Sequence, residues 1–307
     1  MLSNALVGPM NGFLPGPRVA ERMPHGWESA DRTRFGLAPL TPLIGAVVEG
    51  VDLSRPLDAE LAEQLNAALL EWKVLFFRDQ EISGSQQAAF ARNWGPLETH
   101  PFYGRITGTE VDVPEVVRLE KDARVGGFEN AWHSDVSWRV EPSLGSVLRA
   151  VEVPDLGGDT LWADMGAAYD RLPDELRARI DGLSAVHDWY TNFGLAMDPE
   201  ERDRLRPDFP EVEHPVVRTH PETGRRTLYV NRIFTQRIVG LDDEESEELL
   251  EHLYLQASFP EYQCRWSWRS GDVAFWDNRA TQHYASSDYY PKTRIMERIT
   301  ICGDRPS

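Results

Sequence analysis

His133 and Asp135 stand two residues apart in the stretch Asn130-Ala131-Trp132-His133-Ser134-Asp135-Val136. Side chains of an extended strand alternate with a period of two, so both are expected on one face, where they can grip one metal ion. Two ligands leave an ion under-coordinated. The best third is His283, in Trp276-Asp277-Asn278-Arg279-Ala280-Thr281-Gln282-His283-Tyr284. Two His and one carboxylate make a facial triad, which leaves positions on a non-haem ferrous ion open for a co-substrate and dioxygen. Alone, the His-x-Asp pair is a weak signal, and a pair of exposed polar residues is its commoner meaning.

The segment after His283 gives the pair its weight. Lys292 to Ile301 reads as a strand, with Arg294, Met296, Arg298 and Thr300 on one face. Taken by itself, such a strand buries Ile295, Ile299 and Ile301 and turns its arginines to water. Beside a metal triad, the arginines are instead expected to point into a cavity that holds two anions. A guanidinium keeps its charge, binds carboxylates and sulfonates through paired hydrogen bonds, and is costly to bury without an anion.

These blocks, with Gly157-Gly158-Asp159-Thr160-Leu161-Trp162 between them, occur together in an order that resembles the taurine dioxygenase (taurine/2,4-dichlorophenoxyacetate dioxygenase) family of Fe(II)/2-oxoglutarate-dependent oxygenases. The resemblance runs from about Leu40 to Pro306. It implies Fe(II) held by His133, Asp135 and His283, with 2-oxoglutarate and O2 as co-substrates. Thr160 and Arg294 would bind the far carboxylate of 2-oxoglutarate. Arg298, His100 and Tyr103 would bind the anionic end of the substrate, while Phe193 closes over it and Phe234 lines its pocket. The implied reaction hydroxylates a small anionic substrate, taurine or another alkanesulfonate first, yielding sulfite, an aldehyde, succinate and CO2. Alkyl sulfate esters and phenoxy or carboxylate substrates are the alternatives within the family. The chain departs from the pattern at Glu129, where the taurine enzyme carries an Asn four residues before its first iron-binding His, and Trp138 adds bulk beside the motif. Related enzymes form homo-oligomers, so a dimer or tetramer is expected.

Composition bounds the rest. The chain has 307 residues and a formal net charge of -18, which argues against nucleic acid or an anionic membrane as partner. An anionic substrate must then be drawn by local positive charge. Two cysteines, Cys264 and Cys302, make no disulfide framework and read as reduced core residues. Residues 1–36 carry several prolines and glycines but no basic leader with an unbroken apolar run, so a flexible or loosely docked arm of a cytoplasmic protein is expected. Residues 37–307 then form a single domain.

Within that domain, Asp58 is expected to cap a helix through Leu61, Leu65, Leu69 and Trp72, and Val74 to Phe77 to form a strand buried on both faces. Ser83 and Gln86 have capping-box spacing for a second helix. Strands are expected at Leu144 to Val153, Thr160 to Ala163, Val186 to Tyr190, Cys264 to Arg269 and Asp272 to Trp276. A hairpin joins His214 to Thr219 with Thr227 to Asn231, and helices cover Pro173 to Leu183 and Asp242 to Ser258. The proline-punctuated segment of about 192–213 is expected to be an irregular active-site lid. The fold class is mainly β with flanking helices, a largely antiparallel double-sheet jelly roll, matching the double-stranded β-helix that the resemblance implies. Two readings from other classes use the same residues: a zinc-type hydrolase, and a non-catalytic small-anion binding barrel. The hydrolase would leave Thr160 and Arg294 without a co-substrate to bind, and the intact triad speaks against the non-catalytic barrel.

Overall fold

The computed structural model describes residues 20–102, 113–127 and 129–307. The helices start where their caps require. Asp58 accepts the Leu61 N–H at 2.9 Å and opens the helix Ala59–Trp72, while Ser83 and Gln86 form a reciprocal capping box at the start of Gly84–Ala91. Each such cap contributes about 1 kcal/mol. Asp242 likewise caps Asp243–Tyr254.

A seven-stranded sheet runs in the order Gly36–Pro39, Ala46–Glu49, Val74–Phe77, Val273–Asp277, Gly145–Glu152, Arg294–Ile301, Val116–Lys121. Its one parallel pair joins Ala46–Glu49 to Val74–Phe77. Period-two alternation divides its side chains between two cores. Leu75, Phe77, Val147, Phe275 and Ile299 pack with the helices Ala59–Trp72 and Gly84–Ala91. Phe76, Leu148, Ala150, Trp276 and Met296 pack with Trp162, Cys264 and Trp266 of a second sheet, ordered Gln263–Trp266, Thr160–Asp164, Thr281–Ala285. Phe76 stacks on Trp266 at 4.2 Å and meets Trp162 edge-on at 5.3 Å, contacts that add about 1 kcal/mol each to simple burial. Thr235–Ile238, Ser184–His187 and Val212–Pro215 form a third sheet, and Arg226–Leu228 pairs with Val217–Thr219 as the turn residues between them predict.

Three expectations need correction. Cys302, expected in the core with Cys264, is exposed. The strand expected at Val186 to Tyr190 forms at Ser184–His187, and Trp189 beyond it donates its indole N–H to the Phe209 carbonyl at 2.7 Å. The segment 192–213 is not irregular throughout, because it contains the helix Pro199–Leu205. Asp198 accepts the Glu200 N–H at 2.9 Å, Pro199 sits in the first turn and Glu200 and Glu201 follow it. That is the residue order that starts a helix, since proline loses no needed donor there and acids face the positive helix end.

Candidate active site

The third ligand meets the first through backbone pairing. His133 N–H donates to the His283 carbonyl at 3.0 Å and His283 N–H returns to the His133 carbonyl at 2.8 Å. This antiparallel bridge sets the two imidazoles 4.1 Å apart. Each Nε2 lies 3.9 Å from Asp135 Oδ1, and the three donor atoms all lie within 4.8 Å of one another. Ligands bound at ~2.1 Å from one ion sit ~3 Å apart when adjacent, so closing on a metal needs movements of under about 1 Å.

The pair His133 and Asp135 does not lie on a continuous strand. His133 makes an isolated bridge, and the chain turns at once, with Val136 at φ 47° and the Arg139 N–H donating to the Val136 carbonyl at 3.0 Å. A β-branched residue in the left-handed region costs about 1–3 kcal/mol and persists only where its surroundings over-determine it. Asn278 does part of this. Its Oδ1 accepts the Asp135 N–H at 2.8 Å, and its Nδ2 donates to the Asp135 carbonyl at 2.9 Å. Ser146 donates to Asp135 Oδ2 at 2.9 Å, and Arg298 donates to Oδ1 at 2.6 Å.

Protonation in this site suits a metal. Burial raises the pKa of Asp135, but Arg298, His283 and His133 outweigh it and bring it down to about 2. Burial, then the His133 charge, pushes His283 down to about 3, and burial likewise lowers His133. The His133 Nδ1 sits 2.8 Å from the Ala131 carbonyl, which places its proton there and leaves Nε2 as a lone pair. The triad is therefore one anion and two neutral imidazoles, the form that binds a divalent cation.

Arg294 and Arg298 share the inward face of Arg294–Ile301, and both are buried. The solvent-facing alternative for this strand is overturned, because both of its faces are covered. Arg294 donates to the Gly158 carbonyl at 3.1 Å and approaches Thr160 Oγ1 at 3.4 Å. Gly158 has φ 73°, and a Cβ there would lie 3.1 Å from Arg294 Cδ, so glycine is needed for both reasons. Thr160 Oγ1 also accepts the Trp268 indole N–H at 3.0 Å, which leaves its own O–H to donate elsewhere. Among the described residues, no carboxylate lies within ion-pair distance of Arg294.

His100 Nδ1 accepts the Phe102 N–H at 3.2 Å, so Nε2 carries the proton. Burial, then Arg298 and Arg139, lowers its pKa to about 3 and keeps it a neutral donor. Phe193 stacks on Phe234 at 6.1 Å, and Phe234 lies edge-on to His133 at 6.4 Å. His100, His133, Asp135, Thr160, Phe193, Phe234, His283, Arg294 and Arg298 all line one cavity. Tyr103 lies outside the described residues. Trp138 does not line the cavity itself; it stacks on Phe102 at 5.2 Å and packs edge-on behind the lining residues His100 and Phe193.

The structure adds Asn278, Ser146 and the cavity pair Lys121–Glu129, joined at 2.8 Å. Lys121 is set directly opposite Arg294 in the strand register, and residues so paired share a sheet face. Asp277 has a structural part, held by Arg279 and by His220 at 2.9 Å.

Residues 37–300 match the family described as "Taurine catabolism dioxygenase TauD, TfdA family". The chain is 39% identical over 276 residues to the alkylsulfatase of Acinetobacter baylyi, covering 87% of this chain and 85% of that one. It is 40% identical over 276 residues to the alpha-ketoglutarate-dependent sulfate ester dioxygenase of Pseudomonas putida, covering 87% and 89%. A solved taurine dioxygenase from Burkholderia xenovorans superposes with a TM-score of 0.76 at 39% identity, covering 89% of this chain and 93% of that one. With the residues of the family pattern gathered on one cavity, the chain belongs to the TauD/TfdA family of taurine catabolism dioxygenases.

Proposed function

We propose that this protein is an Fe(II)- and 2-oxoglutarate-dependent dioxygenase that oxidises a small organosulfur anion. One observation carries the reading: a metal-ready triad shares its cavity with Arg294, a buried cation without a carboxylate partner among the described residues, and with a threonine hydroxyl free to donate. A 2-oxoglutarate molecule answers both requirements, one end at the metal and the other at Arg294.

His133, Asp135 and His283 would hold Fe(II), which supplies the activation of O2 when 2-oxoglutarate is bound. Arg294 and Thr160 hold the distal carboxylate of the co-substrate. Arg298 and His100, with Tyr103, orient the substrate anion. Phe193 and Phe234 cover the reacting carbon and exclude water, which is the main task left to the protein. Overall, one oxygen atom enters succinate as CO2 is lost, and the other enters the substrate C–H. When that carbon bears a sulfate oxygen or a sulfonate, the hydroxylated product collapses to an aldehyde with sulfate or sulfite.

An alkyl sulfate fits better than taurine. The Glu129 carboxylate, which would meet taurine's ammonium, is already paired with Lys121, while Leu119, Leu148, Ile233 and the aromatic pair offer an alkyl chain apolar walls. The two similar relatives named above act on sulfate esters by their names, which supports the same order. Taurine and other alkanesulfonates remain members of the class. We further propose that the facing sheets are the halves of a double-stranded β-helix, that residues 37–307 form the single oxygenase domain with 192–213 as its lid, and that the protein is a cytoplasmic homo-oligomer. No helix among the described residues is long and apolar enough to cross a membrane.

The test is succinate release by the iron-loaded protein with 2-oxoglutarate across linear alkyl sulfates, alkanesulfonates, taurine and a phenoxyacetate. Stimulation by an alkyl sulfate with matching sulfate release supports the proposal; stimulation by the phenoxyacetate alone overturns the substrate class.

A further inference from the structure

Behind the turn that carries Asp135 lies a set of buried polar groups, none of which lines the cavity: Ser137, His187, Asn231 and Thr235. Asn231 Nδ2 donates to Ser137 Oγ at 2.9 Å, and that Oγ lies 3.0 Å from His187 Nδ1. On the other side of the ring, His187 Nε2 lies 3.3 Å from Thr235 Oγ1, which also accepts the Asn231 N–H at 2.9 Å. Asn231 Oδ1 accepts the Phe234 N–H at 3.0 Å.

Two proton arrangements satisfy these contacts, one for each neutral tautomer of His187. Asn231 donates to Ser137 in both; either the Ser137 hydroxyl donates to Nδ1 while Nε2–H donates to Thr235, or Nδ1–H donates to Ser137 while the Thr235 hydroxyl donates to Nε2. Both use a neutral imidazole, and burial, followed by the neighbouring His214, keeps His187 well below its ordinary pKa. A fully satisfied buried network of this kind holds its members in one geometry.

The network joins two walls of the active site. Ser137 follows Val136, whose left-handed backbone aims Asp135 at the metal position. Residues 231–235 carry Ile233 and Phe234, which line the cavity. The front of the turn is held by Asn278, as described above, whereas this network holds its back. We infer that Ser137, His187 and Asn231 are positioning residues that lock the metal-ligand turn to the aromatic wall over the substrate. The iron carboxylate and the covering Phe234 then keep one relative placement through turnover. The inference rests on His133, Asp135 and His283 being the metal site.

Cobalt(II) binding to the metal-free protein, followed through its visible absorption bands, tests this without relying on activity. Ser137→Ala and Asn231→Ala should each weaken cobalt binding about tenfold, as loss of outer-shell support does. The double variant should lose little more than the worse single one, because both break one network. In the iron-loaded protein, the ratio of 2-oxoglutarate consumed to substrate oxidised should rise in both variants. Thr235→Val, an isosteric change at the far end of the network, should move both readouts in the same direction by less, and it serves if a larger change fails to fold. Folded variants with cobalt affinity and coupling within about twofold of wild type would overturn the inference and leave the network with a packing role only. A wild-type protein that binds no cobalt, or an Asp135→Ala variant that binds it equally well, would overturn the metal site itself.

Discussion

Arg294 and Arg298 occupy the same strand and the same face, four residues and about 13 Å of strand apart, yet the molecule treats them differently. Among the described residues, Arg294 donates hydrogen bonds only to neutral oxygens, those of Gly158 and Thr160. Arg298 donates to the carboxylate of Asp135 at 2.6 Å. Burial lowers the pKa of Arg294, but a guanidinium keeps its proton. One end of the cavity therefore holds a cation short of an anion, and the other holds a cation already shared with a metal ligand. In a protein of net charge -18, this local imbalance is what the proposed dianionic co-substrate would answer. It also means that the two arginines should fail differently when removed.

The largest effect is expected from Asp135→Ala, which takes away the carboxylate of the triad and the partner of Arg298. Iron binding and succinate formation should both disappear, and a variant that kept full turnover would refute the triad. Next comes Arg294→Ala. Losing a charge-assisted bidentate contact in a buried site should raise the KM for 2-oxoglutarate about 100-fold, or about 3 kcal/mol, with Arg294→Lys recovering part of it in the same assay. Arg298→Ala should raise the KM for the substrate while 2-oxoglutarate is still consumed without it. Because Arg298 also steadies Asp135, metal affinity should fall about tenfold, measurable by titration. If Arg298→Ala abolishes co-substrate binding instead, the two roles are reversed. Thr160→Val removes one hydroxyl donor and should cost about 1 kcal/mol in 2-oxoglutarate affinity.

A separate effect concerns the metal-free fold. His100 and His283 are held near about 3, below the unfolded value of about 6.5, so between those values the unfolded chain binds more protons than the native one. Stability should therefore fall as pH drops through about 6.5 towards 5, by on the order of 1–2 kcal/mol per group. Thermal midpoints across that range check this, and a flat profile would place both rings in water.

Local rules made much of this legible in advance. The caps at Asp58, Ser83 and Asp242 start helices, and the two-residue period of Arg294 to Thr300 put both arginines on one face. The motif residues, carried over by resemblance, converge on one cavity wherever they are described. What escaped was non-local or contrary to propensity. Asn278 holds Asp135 across 143 positions of sequence, and Ser137 meets His187 and Asn231 across 50 and 94 positions. The spacing of His133 and Asp135 suggests an extended strand, but Val136 takes a left-handed backbone at φ 47°, against the preference of a β-branched residue. The prolines of 192–213 suggested breaks, although Pro199 begins a helix. The bulk of Trp138 stacks on Phe102 and backs the cavity residues His100 and Phe193.

The most direct test of the contrast between the two arginines is an anaerobic absorption titration of the iron-loaded protein with 2-oxoglutarate. Chelation of the co-substrate to ferrous iron should produce a weak visible charge-transfer band in wild type. The band should saturate at similar co-substrate concentrations in Arg298→Ala and need far higher ones in Arg294→Ala. No band in wild type, or a band that Arg298→Ala weakens more than Arg294→Ala does, would contradict the account.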